Sequence, residues 1–169
     1  MIDVGILAEP AWGAETDWEA LATGAVLAAF RVSPWAALED EAVSVEVSVK
    51  YADDAEVEAL NGAYRGKDKP TNVLSFPMVQ PDLLDGIADT DDGEVLLGDI
   101  VLAHGVCARE AAEKGVAVAT HATHLIVHGT FHLLGFDHED EVEAEAMEEL
   151  ERVALAALGI ADPYAVQEA

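Results

Sequence analysis

The stretch His124-Leu-Ile-Val-His128-Gly-Thr-Phe-His132-Leu-Leu-Gly135-Phe-Asp137-His138 constrains this chain more than any other part of it. Four of the six histidines lie there, so imidazole chemistry is concentrated in one place. At 3.6 residues per turn, His128 and His132 stand one turn apart and only ~40° apart around a helix axis, and both rings can reach one metal ion. Gly135 can adopt the left-handed conformation that stops a helix and reverses the chain, which can return His138 to the same ion. Three imidazoles leave a fourth tetrahedral position for water, the arrangement of a catalytic zinc site; structural sites are closed by four ligands, usually rich in cysteine. The single cysteine, Cys107, is far from the motif. A lone pair spaced i, i+4 could equally be packing, and it is the third histidine, with Gly135 between the ligands and Asp137 beside His138 as a supporting partner, that favours a metal.

A chain of 169 residues, 51% apolar, can build one core without disulfides. One cysteine, no basic-plus-apolar leader and no apolar run near eighteen residues predict a soluble, cytoplasmic protein that does not enter a membrane. The 34 acidic and 8 basic residues give a net charge of −26, which excludes nucleic-acid binding through the whole surface. Such a charge also keeps a protein soluble at high salt.

The periodicity predicts a small α+β domain spanning residues 1–169, with a sheet of about four strands packed with helices and the metal site at the end of a buried helix. Ile2 to Leu7 is a first strand. A helix is expected from Thr16, capped by the pair Thr16 and Glu19 and terminated at Ser33-Pro34. Val43, Val45, Val47 and Val49 alternate with polar residues as a half-buried strand does. Asp53 or Asp54 caps a second helix that lays Val57, Leu60 and Tyr64 on one face and delivers Arg65 to its end. Val73 to Phe76 is a short strand ended by Pro77, and Gln80 to Gly93 an exposed connection. Glu94 to Ala103 is a strand covered on both faces, with Asp99 the anomaly in it. Val106 to Lys114, Ala119 to Leu134 and Glu139 to Leu158 are helices, the last burying a stripe of Val142, Ala146, Leu150, Val153 and Ala157.

Zinc lowers the pKa of bound water and polarises carbonyl or phosphoryl oxygens, so hydrolysis is the natural reaction class. The spacing i, i+4, i+10 also occurs in metzincin peptidases, which carry a glutamate base directly after the first histidine. Here that position is Gly129, which weighs against a peptidase.

The stretch from His128 to His138 resembles the signature of the YbeY family, bacterial metal-dependent endoribonucleases of ribosomal RNA maturation and ribosome quality control. Leu60 to Arg65, Asp68 and Thr71 to Phe76 are similar to that family's second motif, and Leu97-Gly98-Asp99-Ile100 to its third. The likeness spans about residues 43–160; Asn72 stands where many members have aspartate and Phe136 where many have tyrosine. The resemblance implies one zinc per chain on His128, His132 and His138, single-stranded RNA as substrate, no DNA, and Arg65 on a phosphate. Arg65 and Asp137 are thus the expected catalytic side chains. Arg65, Lys67 and Lys69 are three of the eight basic residues and form the one local positive patch, which without the resemblance reads as a solvated loop. Basic ribosomal proteins are candidate partners for the acidic surface. A ribosome-associated binding factor with structural zinc is the alternative in a different class. His121 and His124 continue the helix face of His128, as packing, as support for the metal or as RNA contacts.

Overall fold

The expected alternation of valines forms β2, Ser44–Ala52, with Val45, Val47 and Val49 buried. In this computed structural model, which describes residues 1–66, 71–89, 93–136 and 140–164, β2 lies inside a four-stranded sheet. β1, Ile2–Ala8, runs parallel to it with Ile2 opposite Val45 and Ala8 opposite Tyr51. On its other side β4, Glu94–Ala103, is also parallel, and β3, Val73–Pro77, closes the order β1-β2-β4-β3 as an antiparallel edge strand. The register shifts between Glu46 and Val47, where the partner on β4 moves from Leu96 to Gly98. Such a shift bends and twists a strand locally.

The helices are α1, Trp18–Arg31; α2, Asp54–Arg65; α3, His104–Lys114; α4, Val118–Leu133; and α5, Glu141–Ala157. α1 crosses between the parallel strands β1 and β2, as parallel pairing requires, and packs with α4 and α5. The main core lies between these helices and the sheet, around Phe30, Val47, Ile100, Ile126 and Phe131. A smaller cluster, Val57, Leu74, Val101 and Val106, joins α2 and α3 to the opposite face. The result is one α+β domain with a four-stranded sheet. No helix among the described residues is long and apolar enough to cross a membrane.

Several local expectations need correction. α1 starts at Trp18, and its cap is Asp17, whose carboxylate accepts from the Ala20 amide at 3.0 Å; Thr16 is not the cap. A carboxylate there satisfies an orphan N–H and meets the positive end of the helix dipole, which a threonine hydroxyl does less well. The connection after Gln80 holds a 3-10 helix, Pro81–Asp89, with Leu84 and Ile87 buried. Their spacing of three residues is one 3-10 turn, so both point inward together. Tyr64 is 72% exposed and only its ring edge meets Phe76, while Val57 is fully buried. β4 is buried at its carboxyl end, but Leu96 is 46% exposed, so the strand is not covered on both faces throughout.

The stripe assigned to the last helix is also wrong. Val142 is 78% and Val153 47% exposed, whereas α5 buries Met147, Glu151, Ala154 and Leu155. Both sets have helical spacing. The true one was disguised because its central member is a glutamate.

Candidate metal centre

α4 is buried almost all round over most of its length, and from His121 to Leu133 every residue is buried except His128 and His132. Those two positions therefore mark the one strip of this part of the helix that opens outward. Their rings meet at an angle of 79° with centroids 4.6 Å apart, and the two Nε2 atoms are 3.0 Å apart. The edge of a tetrahedral zinc site with Zn–N near 2.0–2.1 Å is about 3.3 Å, so the pair has nearly the separation of two ligands on one ion.

The helix approaches the sheet closely at this point. A Cβ on Gly129 would stand 3.1 Å from Ile100 Cγ2 and 3.1 Å from Ser75 Oγ, so only glycine fits without displacement. At the end of α4 the amide of Phe136 donates to the Phe131 carbonyl and that of Gly135 to the His132 carbonyl, both at 3.0 Å. This crossed pair, with Gly135 at φ 89° and the Phe131 and Phe136 rings 5.6 Å apart, is a Schellman stop. The expected helix stop at Gly135 is thus present, and the return of His138 lies outside the described residues.

His128 and His132 open into a cleft of about 580 Å³ bounded by Thr71, Asn72, Ser75 and Pro81. Ser75 lies on β3, so the cleft runs along the free edge of the sheet. Asp99 does not line it; that residue faces other surface clefts with Ser48.

Behind the pair lies a buried carboxylate that sequence reasoning missed. Glu151 of α5 has no solvent exposure. Its Oε2 is 3.2 Å from His128 Nδ1, and its Oε1 is 2.7 Å from His124 Nε2 and accepts the Tyr164 hydroxyl at 2.7 Å. Burial pushes this carboxyl up, but the hydrogen bonds with His124, His128 and Tyr164 outweigh it and hold it at about 2. An ionised carboxylate is acceptor-only, so the ring nitrogens facing it carry the protons. In a neutral His128 a proton on Nδ1, the nitrogen that faces Glu151, leaves Nε2, the nitrogen that faces His132, with its lone pair. The signal available in the sequence was Glu151 at the centre of Met147, Ala154 and Leu155, an acid on an apolar face.

His121 is buried as well, with Nε2 2.8 Å from Glu110 Oε1, to which Asn72 also donates at 3.0 Å. Burial lowers the His121 pKa, and the Glu110 carboxylate opposes that shift. The second-helix expectation placed Arg65 at the helix end, and α2 does end there. The Arg65 side chain, with Asp137, His138, Lys67 and Lys69, lies outside the described residues. Among the described residues no group of three His, Cys, Asp or Glu side chains is placed to hold an ion, so the structure brings together two of the three expected ligands. The donor set fits zinc: two imidazoles converge, and one is backed by a carboxylate on its other nitrogen.

Comparison with known proteins accords with this geometry. A family model described as endoribonuclease YbeY matches residues 17–159, which extends the likeness back from the expected residue 43 into α1. An endoribonuclease YbeY of Rhizorhabdus wittichii is 67% identical over 168 residues, covering 99% of both chains. One from Sphingopyxis alaskensis is 61% identical over 168 residues, covering 99% of this chain and 100% of its own. A solution structure from Thermotoga maritima superposes with a TM-score of 0.54 at 21% identity, over 93% of this chain and 92% of that one, and shows the shared fold. With a match to most of its length and relatives above 60% identity, this chain belongs to the endoribonuclease YbeY family.

Proposed function

We propose that the protein is a zinc-dependent endoribonuclease that cleaves single-stranded RNA in ribosomal RNA maturation and ribosome quality control, in the cytoplasm. His128, His132 and His138 hold one ion. The observation that carries this proposal is the 3.0 Å approach of the His128 and His132 Nε2 atoms in a cleft of about 580 Å³ along the sheet edge. Support comes also from the relatives, which are named endoribonucleases.

When bound, the zinc supplies Lewis-acid polarisation at a phosphoryl oxygen. The chain's own residues do the rest. His128 and His132 fix the place of reaction at the edge of the sheet. Arg65 binds two oxygens of the phosphate with its planar fork, where negative charge grows in the transition state. Asp137, beside the third ligand, orients that imidazole. A metzincin-type peptidase would need a base directly after His128, and that position is Gly129, where even a Cβ would crowd Ile100 and Ser75. A purely structural ion would not need an open cleft along its ligands.

Elemental analysis and cleavage of a single-stranded ribosomal RNA fragment, on wild type and His132→Ala, test this together. About one zinc per wild-type chain, with both metal and cleavage lost in the variant, is the expected result. Metal retained with no cleavage by wild type would leave zinc structural and overturn the enzyme assignment.

A further inference from the structure

Glu151 is an uncommon object in a helix: a glutamate with no exposure, on the face that packs against the core. Burying an ionised carboxylate is unfavourable unless donors surround it. Here three do. His128 approaches Oε2 at 3.2 Å, and His124 and Tyr164 approach Oε1 at 2.7 Å each. Each donor comes from a different turn or segment, with Tyr164 lying seven residues past the end of α5. His124 in turn packs its ring against Tyr164 with centroids 5.3 Å apart.

We propose that Glu151 is a positioning residue of the metal centre: it holds His128 in the tautomer and rotation that offer Nε2 to the ion, and His124 and Tyr164 hold Glu151 in place. This rests on the assignment of His128 as a metal ligand. The chemistry follows from the two ring nitrogens being distinct. A proton held on Nδ1 by a carboxylate leaves Nε2 with its lone pair, and the negative charge raises the basicity of that ligand. His132 lies on the opposite side of His128 from Glu151, with its own Nε2 3.0 Å from that of His128, so the carboxylate braces the pair from behind. Tyr164 adds a second consequence. Because its hydroxyl donates to the same oxygen as His124, the segment after α5 is tied to the metal site and helps decide whether His128 is preorganised.

The test uses the full chain as wild type, Glu151→Gln, Tyr164→Phe and His128→Ala. Zinc affinity is measured by competition with a chromophoric chelator, and the imidazole tautomers are read from long-range proton–nitrogen spectra of zinc-free protein. Glu151→Gln is expected to bind zinc about 10–100-fold more weakly, as outer partners of ligand histidines generally do when changed. Its His128 should drift from the Nδ1-protonated form toward a mixture of tautomers. Tyr164→Phe, which keeps the carboxylate, should weaken binding by a smaller factor. Wild-type affinity in Glu151→Gln, or an Nε2-protonated His128 in the wild-type protein, overturns the inference. The tautomer measurement and Tyr164→Phe decide the matter even where Glu151→Gln fails to fold. The zinc assignment itself fails on a different result: His128→Ala binding zinc as tightly as wild type.

Discussion

Gly129 and Ile100 meet where α4 crosses the sheet, so closely that a Cβ on the glycine would lie 3.1 Å from Ile100 Cγ2. Successive helical residues turn by about 100°, so His128 can face the cleft only while residue 129 faces the sheet. Gly129→Ala gains up to about 1 kcal/mol of helix propensity but forces the backbones apart, and overpacking of this kind typically destabilises by about 1–3 kcal/mol. A net loss of stability in thermal unfolding, with weaker zinc binding as the histidines move, is the expected outcome. Gly129→Glu, the residue a metzincin would carry, should fail to fold and acquire no peptidase activity. An unchanged melting temperature for Gly129→Ala would show that the contact relaxes freely.

Much of this architecture was legible because its patterns are one-sided. Val43, Val45, Val47 and Val49 alternate without exception into β2, and the Gly135 stop follows a long buried helix, so one period fits each. α5 shows where legibility ended. Alanines and glutamates at helical spacing allow two stripes, and preferring apolar members selected Val142 and Val153 over the phase that contains Glu151. Burial of a charged residue depends on partners from α4 and from Tyr164, which sequence separation conceals. The 3-10 helix around Leu84 and Ile87 escaped for a similar reason: five aspartates within residues 82–92 outweighed two apolar residues three apart. The approach of His128 and His132 was legible because the two stand one helical turn apart, where local geometry governs.

Cys107 provides a check on the fold at the start of α3. It is fully buried, and burial pushes the thiol up to about 12, with the Glu110 charge adding to the effect. Since the thiolate is the reactive species, the native protein at pH 8 should resist alkylation by iodoacetamide, and denaturant should release full reactivity. Labelling then proceeds only through opening of the core. Rapid modification of the native protein, followed by mass spectrometry, would refute the buried placement.

Arg65→Ala should reduce RNA cleavage by about 10²–10³-fold, the range found when one donor to a developing oxyanion is removed. Zinc content and melting temperature should be unaffected, because the proposed contact is with phosphate. Arg65→Lys should restore only part of the rate, since an ammonium offers a point charge in place of a two-pronged fork. Full cleavage by Arg65→Ala would return the basic patch to the status of a solvated loop.

The net charge of −26 appears at odds with an RNA substrate, and ionic strength separates the two effects. At physiological salt the Debye length is about 8 Å, so distant carboxylates are largely hidden from a bound phosphate, while the contacts proposed for Arg65, with Lys67 and Lys69 beside it in the sequence, would act at short range. Approach from solution is governed by the whole surface, where Asp82, Asp85 and Glu94 on one side and Glu141, Glu143 and Glu145 on another are exposed. Naked RNA should therefore bind weakly. Its cleavage should rise from very low to moderate salt as long-range repulsion is screened, then fall as the local contacts weaken, unlike the monotonic loss shown by basic RNA binders. A basic partner changes the balance by neutralising those carboxylates. Ribosomal proteins have that character, so cleavage within small ribosomal subunits should exceed cleavage of the same RNA alone, most strongly at low salt. Rates measured across ionic strength with both substrates decide it: tight binding of naked RNA that only weakens with salt would show that the acidic surface has no part in choosing the partner.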